Sequence, residues 1–108
     1  MISTQVIASC IEELRNITKV NLAVFGLDGS PVVSTLDSND ISRELIIGFA
    51  ESPADSQVIG RDHLLKIMDE NELIYVLMAR GNNDEAYMIG KIAVSQLQQL
   101  ITAYKERF

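Results

Sequence analysis

Apolar residues recur every three or four positions in the first segment of the chain, which is typical of an amphipathic helix. They are Val6, Ile7, Cys10, Ile11, Leu14 and Ile17. Ser3 or Thr4 is a suitable N-cap, because either hydroxyl can accept a hydrogen bond from a free amide of the first turn. Lys19 follows the last apolar position, where a cation interacts favourably with the helix dipole. The pattern predicts an N-terminal helix.

The next segment predicts a β-hairpin. Val20–Phe25 is rich in residues that favour strands, and Pro31–Leu36 is the returning strand. Leu27–Ser30 forms the turn between them, with Gly29 supplying a positive φ. Because proline has no N–H for a sheet ladder, Pro31 can stand only at the start of its strand or at a sheet edge.

A second, shorter helix follows the hairpin. Its candidate caps are Ser38, Asn39 and Asp40, and its apolar stripe consists of Ile41, Leu45, Ile46 and Phe49. The stripe stops before Ser52 and Pro53, since a residue that precedes proline disfavours helical dihedrals. We expect the helix to end there.

Three further strands are predicted in the middle of the chain, at Gln57–Ile59, His63–Met68 and Leu73–Ala79. Gly60 indicates a bend or a bulge, and Asp69–Glu72 a polar turn. Leu73–Ala79 is apolar at every position, so both of its faces should be covered. We therefore expect it to be the central strand.

The last segment predicts a long helix that begins near Asp84, with Asn82 or Asn83 as its cap and Glu85 in the place of a capping box. Neither proline nor a terminating glycine follows, and roughly 24 residues of helix would span about 36 Å, more than the width of a small domain. We therefore expect a fragment of a longer protein whose last helix pairs with a second copy or leads into a further domain. Its predicted dimer interface consists of Leu97, Leu100, Ile101, Tyr104 and Phe108.

The order of elements predicts the fold class. One helix, two strands, a helix, two or three strands and a final helix form an α+β sandwich, with a single antiparallel sheet of about five strands on which the helices pack. The chain of 108 residues, 47% of them hydrophobic, is long enough for one core and too short for two. Residues 1–108 are therefore expected to form a single domain.

Composition excludes several classes of function. A net charge of −6 disfavours contact with nucleic acid or with an anionic membrane surface. The longest apolar run, Leu73–Ala79, is far shorter than the ~20 residues that a membrane helix needs. The single cysteine excludes an internal disulfide, and the N-terminus lacks the basic region of a signal peptide. These features predict a soluble cytoplasmic protein.

The residues that could serve in catalysis or metal binding are more simply explained by structural roles. Cys10 lies in the apolar stripe of the first helix, and His63 is the only histidine, without a second ligand at metal-binding spacing. Gly26 and Gly29 join two strands, whereas a phosphate-binding loop opens a helix. The acidic residues fall in turns, first helical turns or solvated helix faces. We therefore predict no enzymatic activity, no metal and no cofactor.

Three polar residues remain as candidates for ligand binding: Arg61, His63 and Arg80. They flank or interrupt strands of one predicted hairpin, and an arginine at a sheet end can bind a small carboxylate through two hydrogen bonds. The alternative is a surface arginine that pairs with a carboxylate of its own chain, such as Asp62 or Glu70.

Two stretches carry a resemblance to a known family. The closing segments Glu85–Ala93 and Leu97–Phe108 resemble the end of the N-terminal sensor region in clostridial transcriptional regulators of the sugar-diacid and purine-catabolism type. Asn21–Thr35 resembles the opening hairpin of that region, which PAS, GAF and roadblock folds share. The order of elements is similar to a roadblock or profilin-like sandwich. The helix-turn-helix of such regulators has no counterpart in this chain, so the resemblance implies no direct contact with nucleic acid.

The resemblance implies a sensing and dimerisation domain of a cytoplasmic regulator. A carboxylate or sugar acid would bind against the sheet, and the last helix would pass the change to a DNA-binding domain. The alternative is a roadblock-type scaffold that binds proteins and no small molecule. A polar cavity beneath the middle helix would favour the sensor, whereas a solid apolar core there would favour the scaffold.

Overall fold

A computed structural model describes residues 2–37, 40–81 and 84–106. The chain folds into α1 (Thr4–Thr18), β1 (Asn21–Phe25), β2 (Pro31–Ser34), α2 (Arg43–Glu51), β3 (Ser56–Ile59), β4 (Asp62–Asp69), β5 (Glu72–Arg80) and α3 (Asp84–Glu106). The strands form one antiparallel sheet in the order β2-β1-β5-β4-β3. The predicted α+β fold is confirmed, and β5 is the central strand as expected.

Local sequence sets the ends of the first two helices. The Ser3 hydroxyl accepts a hydrogen bond from the Val6 amide at 3.2 Å, which confirms the predicted cap. Lys19 adopts a left-handed conformation with φ of 63°, and its amide donates to Arg15 O, which ends α1. The N-cap of α2 is Ser42, two residues beyond the candidates, of which Ser38 and Asn39 lie outside the described residues. The candidate caps of α3, Asn82 and Asn83, also lie outside them.

Positive φ angles close the hairpins. Gly29 has φ of 82° in the β1–β2 turn, as predicted. Gly60 has φ of 62° and belongs to the tight turn between β3 and β4, where Ile59 pairs with Asp62. Glu70 and Asn71 both have positive φ in the β4–β5 turn, which matches the right-handed twist of the strands that it joins.

The sheet is covered on both faces. On one face, α1 and α3 pack against the side chains of Leu22, Val24, Leu65, Ile67, Leu77 and Ala79. On the other face, α2 packs through Ile46 and Phe49 against Ala23, Phe25, Leu64, Val76 and Met78. Alternate residues of β1, β4 and β5 thus point into two separate apolar layers, one on each face of the sheet. This explains why the sequences of these strands are continuous apolar runs.

The last helix packs against the domain over most of its length. Its buried residues extend from Ala86 to Ile101, and Tyr104 still packs against the core of the same chain. The expectation that α3 pairs with a second copy or leads into a further domain stays a prediction.

The predicted dimer residues of α3 occupy several environments. Leu97 and Ile101 belong to the core of the same chain, and Leu100 and Tyr104 pack against that core while half-buried. Phe108 lies outside the described residues. The prediction that Leu97 and Ile101 form a dimer interface is wrong, because both side chains are buried in the core of their own chain and do not reach the surface. Within the described part of the chain, we find no helix with the length and apolar character required to cross a bilayer.

Candidate functional site

Arg80 is held by two carboxylates. It pairs with Asp62 across β4 and β5, where its Nε donates to Oδ1 at 2.7 Å and its Nη2 to Oδ2 at 3.1 Å. Nη2 also donates to Asp40 Oδ1 at 2.6 Å. The side chains of Arg80 and Asp62 are each only 12% exposed, and the hydrogen bonds that Arg80 donates to Asp62 are the main cause of the raised pKa of Arg80. Arg80 is therefore paired with carboxylates of its own chain, which was the alternative to the predicted role in ligand binding.

His63 lies on the opposite face of the sheet from Arg80. It pairs in register with Ala79, faces α3 and is buried with its ring 6.0 Å from that of Tyr87. Its Nε2 lies 3.1 Å from Gly81 O, and since a carbonyl only accepts, Nε2 must donate. In a neutral ring Nδ1 then carries a lone pair, and it has no hydrogen-bond partner among the residues that the structure describes.

Arg61 lies in the exposed turn after β3. The pKa of Asp40 is lowered mainly because Arg80 donates to it, and the charge of Arg61 adds to the effect. Arg61 and Arg80 thus share an acidic neighbour, whereas the ring of His63 lies on the opposite face of the sheet from Arg80. The structure does not bring the three predicted residues together around one ligand.

A polar groove that the sequence did not indicate lies between α1 and the β1–β2 hairpin. Its volume is about 530 Å³, and its lining residues are Glu12, Arg15, Asn16, Asn21, Ser34, Thr35, Leu36 and Asp37. Arg15 Nε donates to Asn21 Oδ1 at 3.3 Å, and the Thr35 hydroxyl donates to the same oxygen at 3.0 Å. Thr35 Oγ1 in turn accepts from the Leu22 amide. These residues are far apart in the sequence and follow no motif, so only the packing of α1 on the hairpin reveals the groove.

A second cavity, of about 400 Å³, is mainly apolar and lies beside the last turns of α3. Its apolar walls are formed by Ile2, Leu27, Leu73, Ile74, Tyr75, Ile101 and Tyr104. Lys105 and Asp69 also line it, and Lys105 Nζ forms ion pairs with Asp69 at 3.2 Å and Glu70 at 3.3 Å. The one cation of this lining is already paired, which disfavours a small anion as ligand.

The layer beneath α2 is apolar and buried. Phe25, Phe49, Leu64 and Met78 have at most 1% of their surface exposed and belong to one apolar cluster. None of these four side chains carries a hydroxyl, amide or charged group that could orient a carboxylate on this face of the sheet.

Cys10 does not have the surroundings of a nucleophile. Burial, and secondarily the Glu13 carboxylate, raise the pKa of its thiol, so less of the reactive thiolate forms. Its Sγ lies 3.6 Å from Gln96 Oε1. Among residues 2–37, 40–81 and 84–106, no three histidine, cysteine or acidic side chains are grouped as metal ligands.

No protein-family model matches the chain, and no curated protein matches its sequence.

Proposed function

We propose that this chain is a non-enzymatic, cytoplasmic protein-interaction and dimerisation module of roadblock type. The observation that supports it most directly is the apolar layer between the sheet and α2, where Phe25, Phe49, Leu64 and Met78 are fully buried. A sensor that binds a carboxylate at this place would need polar groups among these side chains. The order of elements, which resembles a roadblock sandwich, agrees with the proposal.

The surface offers places for association. β3 is an edge of the sheet, and an edge strand presents unpaired amide and carbonyl groups to which another strand can add. Val58 in β3 is 60% exposed. A β-branched side chain suits a strand, and its exposure on an edge strand offers an apolar contact to a second chain that pairs there.

Sedimentation velocity over a range of concentrations tests the proposal. We expect the wild-type chain to form a dimer, and we expect Val58→Lys to raise the dissociation constant at least tenfold, because a lysine on an edge strand opposes pairing. Leu27→Lys is the matched control, since Leu27 is also an exposed apolar residue and lies in the β1–β2 turn, away from β3. A wild-type chain that remains monomeric at high micromolar concentration would contradict dimerisation. A chain shortened to end at Gln96, without the last turns of α3, is not a suitable test of dimerisation, because the truncation also removes Leu97 and Ile101 from the core.

A second candidate function is the sensor domain of a transcriptional regulator, and the polar groove favours it. Arg15 and Asn21 place N–H donors beside the acceptors Glu12 and Asp37, which is the mixture that a hydroxylated acid requires. Thermal unfolding with sugar diacids, purines and amino acids tests this candidate. A ligand that raises the Tm of the wild type and not of Arg15→Met would favour the sensor. No shift with any compound would favour the scaffold.

A further inference from the structure

Three exposed apolar residues lie on the outer side of the α1–α3 pair. Ile17 is 71% exposed, Met88 62% and Ile92 43%. Met88 and Ile92 are four residues apart on α3 and therefore share one face of that helix. Exposed apolar residues that are scattered singly need no explanation, whereas a contiguous group marks a contact surface.

The pairing of α1 and α3 brings Ile17 to the other two residues. Cys10 contacts Gln96, and both line a cavity with Val6 and Leu100, so residue numbers rise along α1 as they fall along α3. The helices are therefore antiparallel. Ile17 lies seven residues beyond Cys10, and Ile89 lies seven before Gln96. Equal rise per residue places Ile17 level with Ile89 along the pair, at the height of Met88 and Ile92. We call Ile17, Met88 and Ile92 the outer apolar patch.

Acidic residues border this patch. Glu13 is one helical turn before Ile17, and Glu85 is one turn before Met88, with Asp84 beside it. All three are exposed. Two cations also lie close in sequence: Lys91 follows Met88 by three residues, with its Nζ over the ring of Tyr87 at 6.0 Å, and Lys19 follows Ile17 by roughly half a turn around the helix. The border is therefore mainly negative.

We propose that the outer apolar patch binds a basic amphipathic helix of a partner protein. An amphipathic helix can place its apolar stripe across Ile17, Met88 and Ile92, while its lysines or arginines lie against Glu13, Asp84 and Glu85. A second copy of this chain fits the same surface poorly, because it would place carboxylates opposite carboxylates in a protein of net charge −6. The inference deepens the proposed interaction function and rests on it, and it uses a different surface from the β3 edge.

Fluorescence anisotropy with a labelled synthetic peptide of alternating Leu and Lys at helical spacing tests the proposal. We expect micromolar binding that weakens as salt is raised, because the border charges are exposed and screened. We expect the double variant Met88→Lys/Ile92→Lys, and separately Glu13→Lys/Glu85→Lys, to weaken binding at least tenfold. All four positions are exposed, so these variants should keep the fold, which circular dichroism checks.

Two controls make the outcome specific. Leu45→Lys changes an exposed apolar residue on α2, on the other side of the sheet, and should leave the affinity unchanged. A peptide with Glu in place of Lys should not bind. Equal affinity of the patch variants and the wild type, equal binding of the acidic peptide, or no binding at all would overturn the proposal. If the wild type nevertheless forms a dimer that Val58→Lys weakens, the proposed function stands and only this inference fails.

Discussion

Asp62 and Arg80 face each other at the ends of β4 and β5, and both carboxylate oxygens of Asp62 accept hydrogen bonds from the guanidinium. Asp40, just before α2, accepts a third bond from the same side chain. Arg80, which the sequence indicated as a candidate for ligand binding, thus connects two strands to the segment that leads into α2.

Replacing Asp62 should destabilise the protein more than replacing Asp40. Asp62→Asn leaves a nearly buried arginine with one carboxylate instead of two, and we expect it to lower the free energy of unfolding by about 2 kcal/mol. Asp40→Asn should have a much smaller effect, because the Asp40 side chain is 60% exposed and solvent screens the pair. Urea denaturation of both variants measures the difference. Equal effects would show that the Asp62 pair contributes no more than a surface ion pair.

Stability should fall in acid because native carboxylates bind protons less readily than those of the unfolded chain. Hydrogen bonds from Ser30 lower the pKa of Asp28, the bond from Arg80 lowers that of Asp40, and the bond from Ser42 lowers that of Glu44. Their stabilisation is complete above the ordinary pKa values of about 4 and is lost as the pH falls below them. Unfolding free energies between pH 3 and pH 6 should show this slope. Asp28→Asn should make the slope shallower. If the variant and the wild type lose stability with the same slope, the lowered pKa of Asp28 does not contribute to the acid sensitivity.

The two helical glycines should respond oppositely to alanine. At Gly48 a Cβ would meet nothing within 4 Å, so Gly48→Ala should stabilise α2 by about 1 kcal/mol through helix propensity. At Gly90 a Cβ would lie 2.9 Å from Leu65 Cδ1 and 3.2 Å from Ala79 Cβ. Since Ala79 is fixed in the central strand, Gly90→Ala should instead destabilise the protein by about 1 kcal/mol. Thermal unfolding of the two variants compares them, and a rise in Tm for Gly90→Ala would mean that α3 can move away from the sheet without cost.

The Cys10 thiol should react slowly in the native protein. Burial and the Glu13 carboxylate raise its pKa, so the thiolate fraction at neutral pH is small. We expect alkylation by iodoacetamide at pH 7.5 to be at least tenfold slower than that of a free thiol and to reach the free rate in urea. Glu13→Gln should speed the native reaction slightly. Native labelling at the rate of the unfolded chain would show that α1 opens readily from α3.

The sequence by itself determined the elements and the fold class. Helical spacing in α1, the Gly29 turn and the all-apolar β5 reflect local dihedral preferences and burial periods, which a linear pattern records. The same logic assigned Leu97 and Ile101 of α3 to a dimer interface, because an apolar stripe from Leu97 to Tyr104 has the same spacing whether it packs on its own sheet or on a second molecule.

Only the tertiary structure decided the sites. The sequence offered Asp62 as one possible partner of an arginine, but it could not show that Arg80 also meets Asp40, because the segment before α2 reaches Arg80 only after the chain has folded. It also could not show that His63 and Arg80 point to opposite faces, since that depends on the register of β4 with β5. The polar groove at Arg15 and the outer apolar patch at Ile17 likewise arise from how α1 packs against the hairpin and α3. Spacing along a chain fixes what each segment can form, whereas pairing between distant segments fixes which side chains meet.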